Sequence, residues 1–185
     1  MRIVGGRLGG RPLKGPRSDA IRPTSDRLRE ALFNVLAHAY GDPVPGARVL
    51  DLFAGTGALG LEALSRGATH ATLVDDGAEA RGLIRANVEA LGLGGATRLF
   101  RRDATRLGPA GANAPVALAF LDPPYGRDLA PRALQGCAEG GWLLPDALVV
   151  VEEAAEAAFA WPAGYAELER RAYGETRLTF GRYAG

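Results

Sequence analysis

The chain has 185 residues, 47% hydrophobic and 23% charged, the length and composition of one globular domain, which excludes intrinsic disorder as the main state. The longest nearly continuous apolar run, 114–121, is shorter than the ~18 residues a bilayer-crossing helix needs and contains Pro115, so no membrane span is expected. Cys137 is the only cysteine, which excludes an intrachain disulfide and a multi-cysteine metal site. No apolar stretch follows Arg2, Arg7 and Arg11, so no secretory signal is read and a cytoplasmic location is expected.

The net charge of +1 is unevenly spread, with +5 on residues 1–30 and −4 on residues 31–185. A basic end on an acidic body suggests a polyanion-binding arm beside a site of different chemistry, with a solubilising tail as the bland alternative. Residues 1–23, rich in Gly, Arg and Pro, read as a small hairpin arm outside the core, followed by one domain over 24–185. Thr24 or Ser25 can cap a helix whose apolar face holds Leu28, Leu32, Val35, Leu36 and Ala39 and which Gly41 and Pro43 stop.

Beyond Ala47, short apolar runs alternate with helical stretches. Arg48–Phe53, Ala71–Val74, Thr97–Phe100, Val116–Leu121 and Ala147–Val151 read as strands, and Leu59–Leu64, Ala78–Leu91 and Leu129–Cys137 as helices. Such alternation predicts an α/β fold, a mostly parallel sheet covered on both faces. Residues Tyr165–Ala172 and Thr176–Tyr183, around Gly174, read as an antiparallel hairpin on the sheet edge. In such a sheet ligands bind beyond the carboxyl ends of the strands, where Asp51–Gly60, Asp75-Asp76 and Asp122–Tyr125 converge.

Gly55-Thr-Gly57-Ala-Leu-Gly60 is a G-x-G-x-x-G loop directly after a strand. Alone it matches a dinucleotide fingerprint, with Asp75-Asp76 where a ribose-binding carboxylate belongs. Asp51 discriminates: a carboxylate there repels a pyrophosphate but suits a cationic ammonium. S-adenosylmethionine has that ammonium, a sulfonium and no phosphate. Asp75 can then accept the ribose hydroxyls and Asp103 the adenine amine, with Ala54, Asp76 and Ala104 alongside. An NAD oxidoreductase is the rival that Asp51 opposes.

Asp122-Pro123-Pro124-Tyr125 follows a buried strand, and its prolines fix φ and remove two backbone donors. A corner of acceptors suits an exocyclic NH₂. Asp122 and the Pro123 carbonyl can take both hydrogens and aim the nitrogen lone pair, while Tyr125 stacks on the base. His38 and His70 match no metal-ligand spacing, so no metal is expected.

The Asp122–Tyr125 motif and the Asp51 loop together resemble the S-adenosylmethionine-dependent amino-methyltransferases. With Gly5-Gly6, Gly10, Leu13, Pro16, Arg22-Pro23-Thr24, Arg27, Arg29-Glu30 and Leu32-Phe33-Asn34, running on through Gly60 to Ala68, the chain resembles the bacterial family that methylates guanine N2 in small-subunit ribosomal RNA. The resemblance implies a Rossmann-like class I methyltransferase fold of seven strands with a reversed last strand. It implies one target guanosine in the assembled small subunit, with S-adenosylhomocysteine as product; a monomer is expected. Arg22, Thr24 and Arg27 would lie at the site mouth, and Arg2, Arg7, Arg11, Lys14 and Arg17 would hold RNA phosphates. Asp75 departs from the Glu usual in related enzymes, which shortens its reach to a ribose. DNA adenine-N6 or cytosine-N4 methylation and a non-catalytic ribosome-assembly factor are the alternatives, opposed by the lack of a base-reading domain and by the intact motif residues.

Overall fold

The computed structural model describes residues 1–113 and 115–185; Ala114, first in the apolar run, lies outside them. Seven strands form one sheet: β1 (Arg48–Leu52), β2 (His70–Val74), β3 (Thr97–Phe100), β4 (Val116–Leu121), β5 (Leu143–Ala154), β6 (Tyr165–Tyr173) and β7 (Thr176–Tyr183). Their order is β3-β2-β1-β4-β5-β7-β6, parallel from β3 to β5, with β7 antiparallel to both β5 and β6. The expected mixed sheet and edge hairpin are therefore present. The order in which strands are added reverses at β1, since β2 lies on one side and β4 on the other, all parallel, which creates the crevice where ligands bind in open α/β sheets.

Among the described residues four α-helices cover the sheet: α1 (Asp26–Ala39), α2 (Ala58–Ser65), α3 (Ala78–Leu91) and α4 (Leu129–Glu139). Strand alternation assigns the faces. Val49, Leu118 and Phe120 pack with α1, α2 and α3, while Leu50, Leu52, Ala119 and Leu121 pack with α4 and the segment around Leu107. Ser25 caps α1, its hydroxyl accepting the Leu28 N–H at 3.1 Å, so Thr24 is left for other work. Among the described residues no helix is long and apolar enough to cross a membrane.

Residues 1–13 differ from the expected arm. Antiparallel hydrogen bonds join Ile3 to Arg11 and Gly10, but Ile3, Leu8 and Leu13 are buried in the main core. The fastening is polar as well as apolar. Glu62, fully buried on α2, accepts the Val4 and Gly5 N–H groups, both at 2.9 Å, together with Arg29 Nε at 3.1 Å and Arg66 Nε at 2.8 Å. Ser65 Oγ accepts the Leu8 N–H at 3.0 Å. Glycines and arginines predicted a solvent-facing arm, whereas the intervening apolar residues seat it on α2.

Candidate active site

Three consecutive strand ends build the site. β1 carries Asp51 and runs into Phe53, whose backbone turns into the left-handed region at φ 58°. That turn ends the strand one residue before the sequence pattern does. Gly57 opens α2 at φ 82°, a conformation glycine adopts without strain. Gly60 admits close packing: a Cβ there would lie 2.3 Å from Leu73 Cδ2 and 3.3 Å from Asp51 Oδ2.

Asp51 is almost fully buried. Its Oδ2 accepts the Gly60 N–H at 3.0 Å, whereas Oδ1 has no partner. Burial, aided by the negative Asp75 nearby, pushes its carboxyl up to about 8. Asp75, after β2, braces the loop, with Oδ2 accepting the Gly55 N–H at 3.0 Å and Oδ1 the Gly77 N–H at 2.9 Å. Each oxygen retains a second lone pair. A cavity of about 550 Å³ is lined by Asp51, Ala54, Gly55, Asp75, Asp76, Asp122, Pro123 and Tyr125, with residues 19–24 along another wall. A smaller cavity of about 250 Å³ shares Phe53, Asp75, Asp76 and Pro124 with it and adds Asp103 and Ala104. Asp103 Oδ1 accepts the Thr105 N–H and hydroxyl at 2.8 and 2.7 Å, and those bonds lower its carboxyl below the usual range.

Asp122 follows β4. Thr24 Oγ1 lies 3.0 Å from Asp122 Oδ2 and 3.1 Å from Glu152 Oε2 on β5. Burial raises the Asp122 carboxyl well above its usual range, and Glu152 adds repulsion. Tyr125 does not stand free: the Arg22 guanidinium lies over its ring, 4.1 Å from the centroid, and bonds its hydroxyl. Arg22 also donates to Thr176 Oγ1 at 3.2 Å.

The structure thus brings together Asp51, Ala54, Gly55, Asp75, Asp76, Arg22, Thr24, Asp122, Pro123 and Tyr125 around one cavity, with Asp103 and Ala104 in its neighbour. Gly57 shapes the loop from behind. The other basic residues are spread outside it. Arg2 sits 3.7 Å from Asp26 and Arg11 donates to the Ala90 carbonyl at 2.7 Å, while Arg7, Lys14, Arg17 and Arg27 are exposed. Phe53, Thr176 and Glu152 were not picked out by the sequence reading. Glu152 left a signal, a carboxylate ending the run Val149-Val150-Val151 at the level of Asp122. Among the described residues no three His, Cys, Asp or Glu side chains gather as metal ligands.

A glycine loop after β1, an acidic residue after β2, an Asp-Pro-Pro-Tyr end on β4 and a reversed β7 define a class I methyltransferase. Its family follows from comparison: the chain belongs to the family described as Conserved hypothetical protein 95, whose pattern matches residues 1–182. It is 43% identical over 157 residues to "Ribosomal RNA small subunit methyltransferase D" of Escherichia coli K12, covering 84% of this chain and 76% of that protein. The protein of the same name from Haemophilus influenzae is 31% identical over 176 residues, covering 94% and 89%. Among solved structures, "Putative methyltransferase yhhF" from Escherichia coli superposes with a TM-score of 0.83 at 34% identity, covering 100% of this chain and 98% of that one.

Proposed function

We propose that the protein transfers a methyl group from S-adenosylmethionine to the exocyclic N2 amine of a guanosine in small-subunit ribosomal RNA, acting as a monomer on the assembled subunit in the cytoplasm. The observation that carries the reading is the juxtaposition of the Asp122-Pro123 acceptor corner with Asp51 and the glycine loop in one cavity. Relatives named as small-subunit ribosomal RNA methyltransferases support the substrate class.

The residues present fit the cofactor. Asp51 Oδ1, buried and without a partner, is an acceptor for an ammonium group. Gly55 and Gly57 let the ligand approach the loop closely, and the spare lone pairs of Asp75 suit ribose hydroxyls, with Asp76 at the rim. Asp103 and Ala104 line the smaller cavity, where an adenine would lie. When bound, S-adenosylmethionine supplies an electrophilic methyl group on a sulfonium.

The protein's part is alignment. Asp122 and the Pro123 carbonyl accept the two N–H groups of the target amine, which favours a pyramidal nitrogen with its lone pair directed away from them. Tyr125 holds the base plane, once the base takes or shares the ring face that Arg22 covers. The methylated amine is cationic and acidic, so its proton leaves without a strong base. Arg7, Lys14, Arg17 and Arg27, exposed around the mouth and the N-terminal segment, contact phosphates, with Arg2 and Arg11 joining on exchange of their present partners. The target base leaves its stack to reach Tyr125, so RNA shape contributes to selection.

The test incubates the protein with methyl-labelled S-adenosylmethionine and, separately, unmethylated small subunits, naked ribosomal RNA and duplex DNA, then identifies the labelled nucleoside by mass spectrometry. N2-methylguanosine from the subunits, absent with Asp122→Ala, is expected. Label in DNA adenine or cytosine would overturn the substrate, and no label despite cofactor binding would overturn the enzymatic reading.

A further inference from the structure

Register places Glu152 beside the acceptor corner. Leu121 pairs with Val151 across β4 and β5, so Asp122 and Glu152 occupy neighbouring positions at the same end of the sheet. Glu152 is 4% exposed, and the Thr24 hydroxyl bridges it to Asp122 at 3.1 and 3.0 Å.

Counting hydrogens limits what this bridge can be. A threonine hydroxyl has one hydrogen and can donate to only one of the two oxygens. The other contact is attractive only if that carboxyl carries a proton and donates to Oγ1. Two ionised carboxylates would leave one oxygen pressed against Oγ1 without a hydrogen between them, in a place where an unmet acceptor is costly.

The surroundings supply one positive charge, enough to balance one of the two carboxylates. The charged and titratable groups facing the pair are Asp51 on β1, Arg22 ahead of α1 and Tyr125 after β4. Asp51 is repulsive only in its ionised form, and Arg22, bonded to the neutral hydroxyls of Tyr125 and Thr176, is a single positive charge facing two carboxyls. Burial raises both carboxyls, as a shared proton requires, Asp122 the more strongly and Glu152 offset by its contact with Asp122; what puts the proton on Glu152 is the need of the target amine for an ionised Asp122.

We propose that Glu152 holds a proton at neutral pH and donates it to Thr24, whose hydroxyl donates to Asp122, so that the pair carries one negative charge placed on Asp122. Glu152 is then a positioning residue. It fixes which Asp122 oxygen is engaged by the protein and leaves the other, ionised, for the amine. The single shared proton follows from the Thr24 geometry; its place on Glu152 and the consequence for turnover rest on the methyl-transfer reading.

Two experiments on the full chain test it. With the glutamate δ-carbons labelled in ¹³C, NMR at pH 7 should show one resonance at a neutral-acid shift that is missing from Glu152→Gln. A Glu152 resonance at the carboxylate shift overturns the proposal. In the methylation assay, Glu152→Gln, a permanent neutral donor of similar shape, should keep kcat within about threefold, while Glu152→Ala should lose about tenfold or more with little change in KM for S-adenosylmethionine. A Gln variant as impaired as the Ala variant overturns it too. If the unaltered protein methylates none of the substrates, the methyl-transfer reading fails, and the NMR result alone decides the protonation of Glu152.

Discussion

Replacing Asp51 with Asn removes a buried carboxyl that is tied on one side to the Gly60 N–H and open on the other. Burial pushes that carboxyl up to about 8, so at pH 7 about nine molecules in ten hold it protonated. An ammonium group needs the ionised form, and binding near neutral pH therefore expels close to one proton. Between pH 6 and pH 7, below the ~7.7–8.0 of a free α-amine, affinity for S-adenosylhomocysteine should rise about tenfold, worth about 1.4 kcal/mol. Titration calorimetry in two buffers of different ionisation enthalpy reads both the affinity and the proton count. Asp51→Asn should bind more weakly at pH 7, with flat affinity across that interval and no proton released. The same carboxyl sets a stability slope. Its value is raised from 3.8 to about 8 on folding, so the folded chain binds more protons than the unfolded one between those limits. Its contribution is complete below about pH 4 and is lost as pH rises towards 8, by at most about 1.4 kcal/mol per pH unit. Wild-type affinity that is constant from pH 6 to pH 7, without proton release, would refute the assignment of Asp51 as the ammonium's partner.

Two packing predictions follow from the elements beneath the site. Gly60→Ala drives a Cβ to 2.3 Å from Leu73 Cδ2, and overpacking of that kind should destabilise by about 1–3 kcal/mol in thermal or urea unfolding; an unchanged midpoint would show that Leu73 can turn aside. Glu62→Ala leaves the fully buried Arg29 without its carboxylate partner on α2 and should cost about 3–5 kcal/mol in urea unfolding. A loss under about 1 kcal/mol would mean that Asp26 and the carbonyls of Arg2 and Thr24 satisfy Arg29 unaided.

The sheet was legible because its central strands are apolar on both faces, as in Val49–Leu52 and Val116–Leu121, and each ends in a residue of different character. Asp51 and Asp122 could be singled out for that reason. Glu152 was not, since a carboxylate closing an apolar run reads as a solvent-facing end; its meaning depends on the β4–β5 register, which pairs segments about thirty residues apart. β5 also begins earlier than its apolar core, because Pro145 and Asp146 mask the pattern of Leu143 and Leu144. Arg29 reads as one more charge on an amphipathic helix, and only the fold brings Glu62 and the Arg2 carbonyl to it. The stacking of Arg22 on Tyr125 likewise joins residues separated by 103 positions, beyond any local pattern.

The way Glu62 fastens the N-terminal segment fixes an order of assembly. Val4 and Gly5 wait for a partner 58 and 57 positions further on, so during synthesis they have no seat until α2 has followed them. β1 is in the same position, because its neighbour β4 contributes Ala119 opposite Leu50. Loop closures of that length precede the contacts that reward them. The segment 1–13 is therefore among the later parts to come to rest, and it completes one wall of the core only after the helix that receives it is in place.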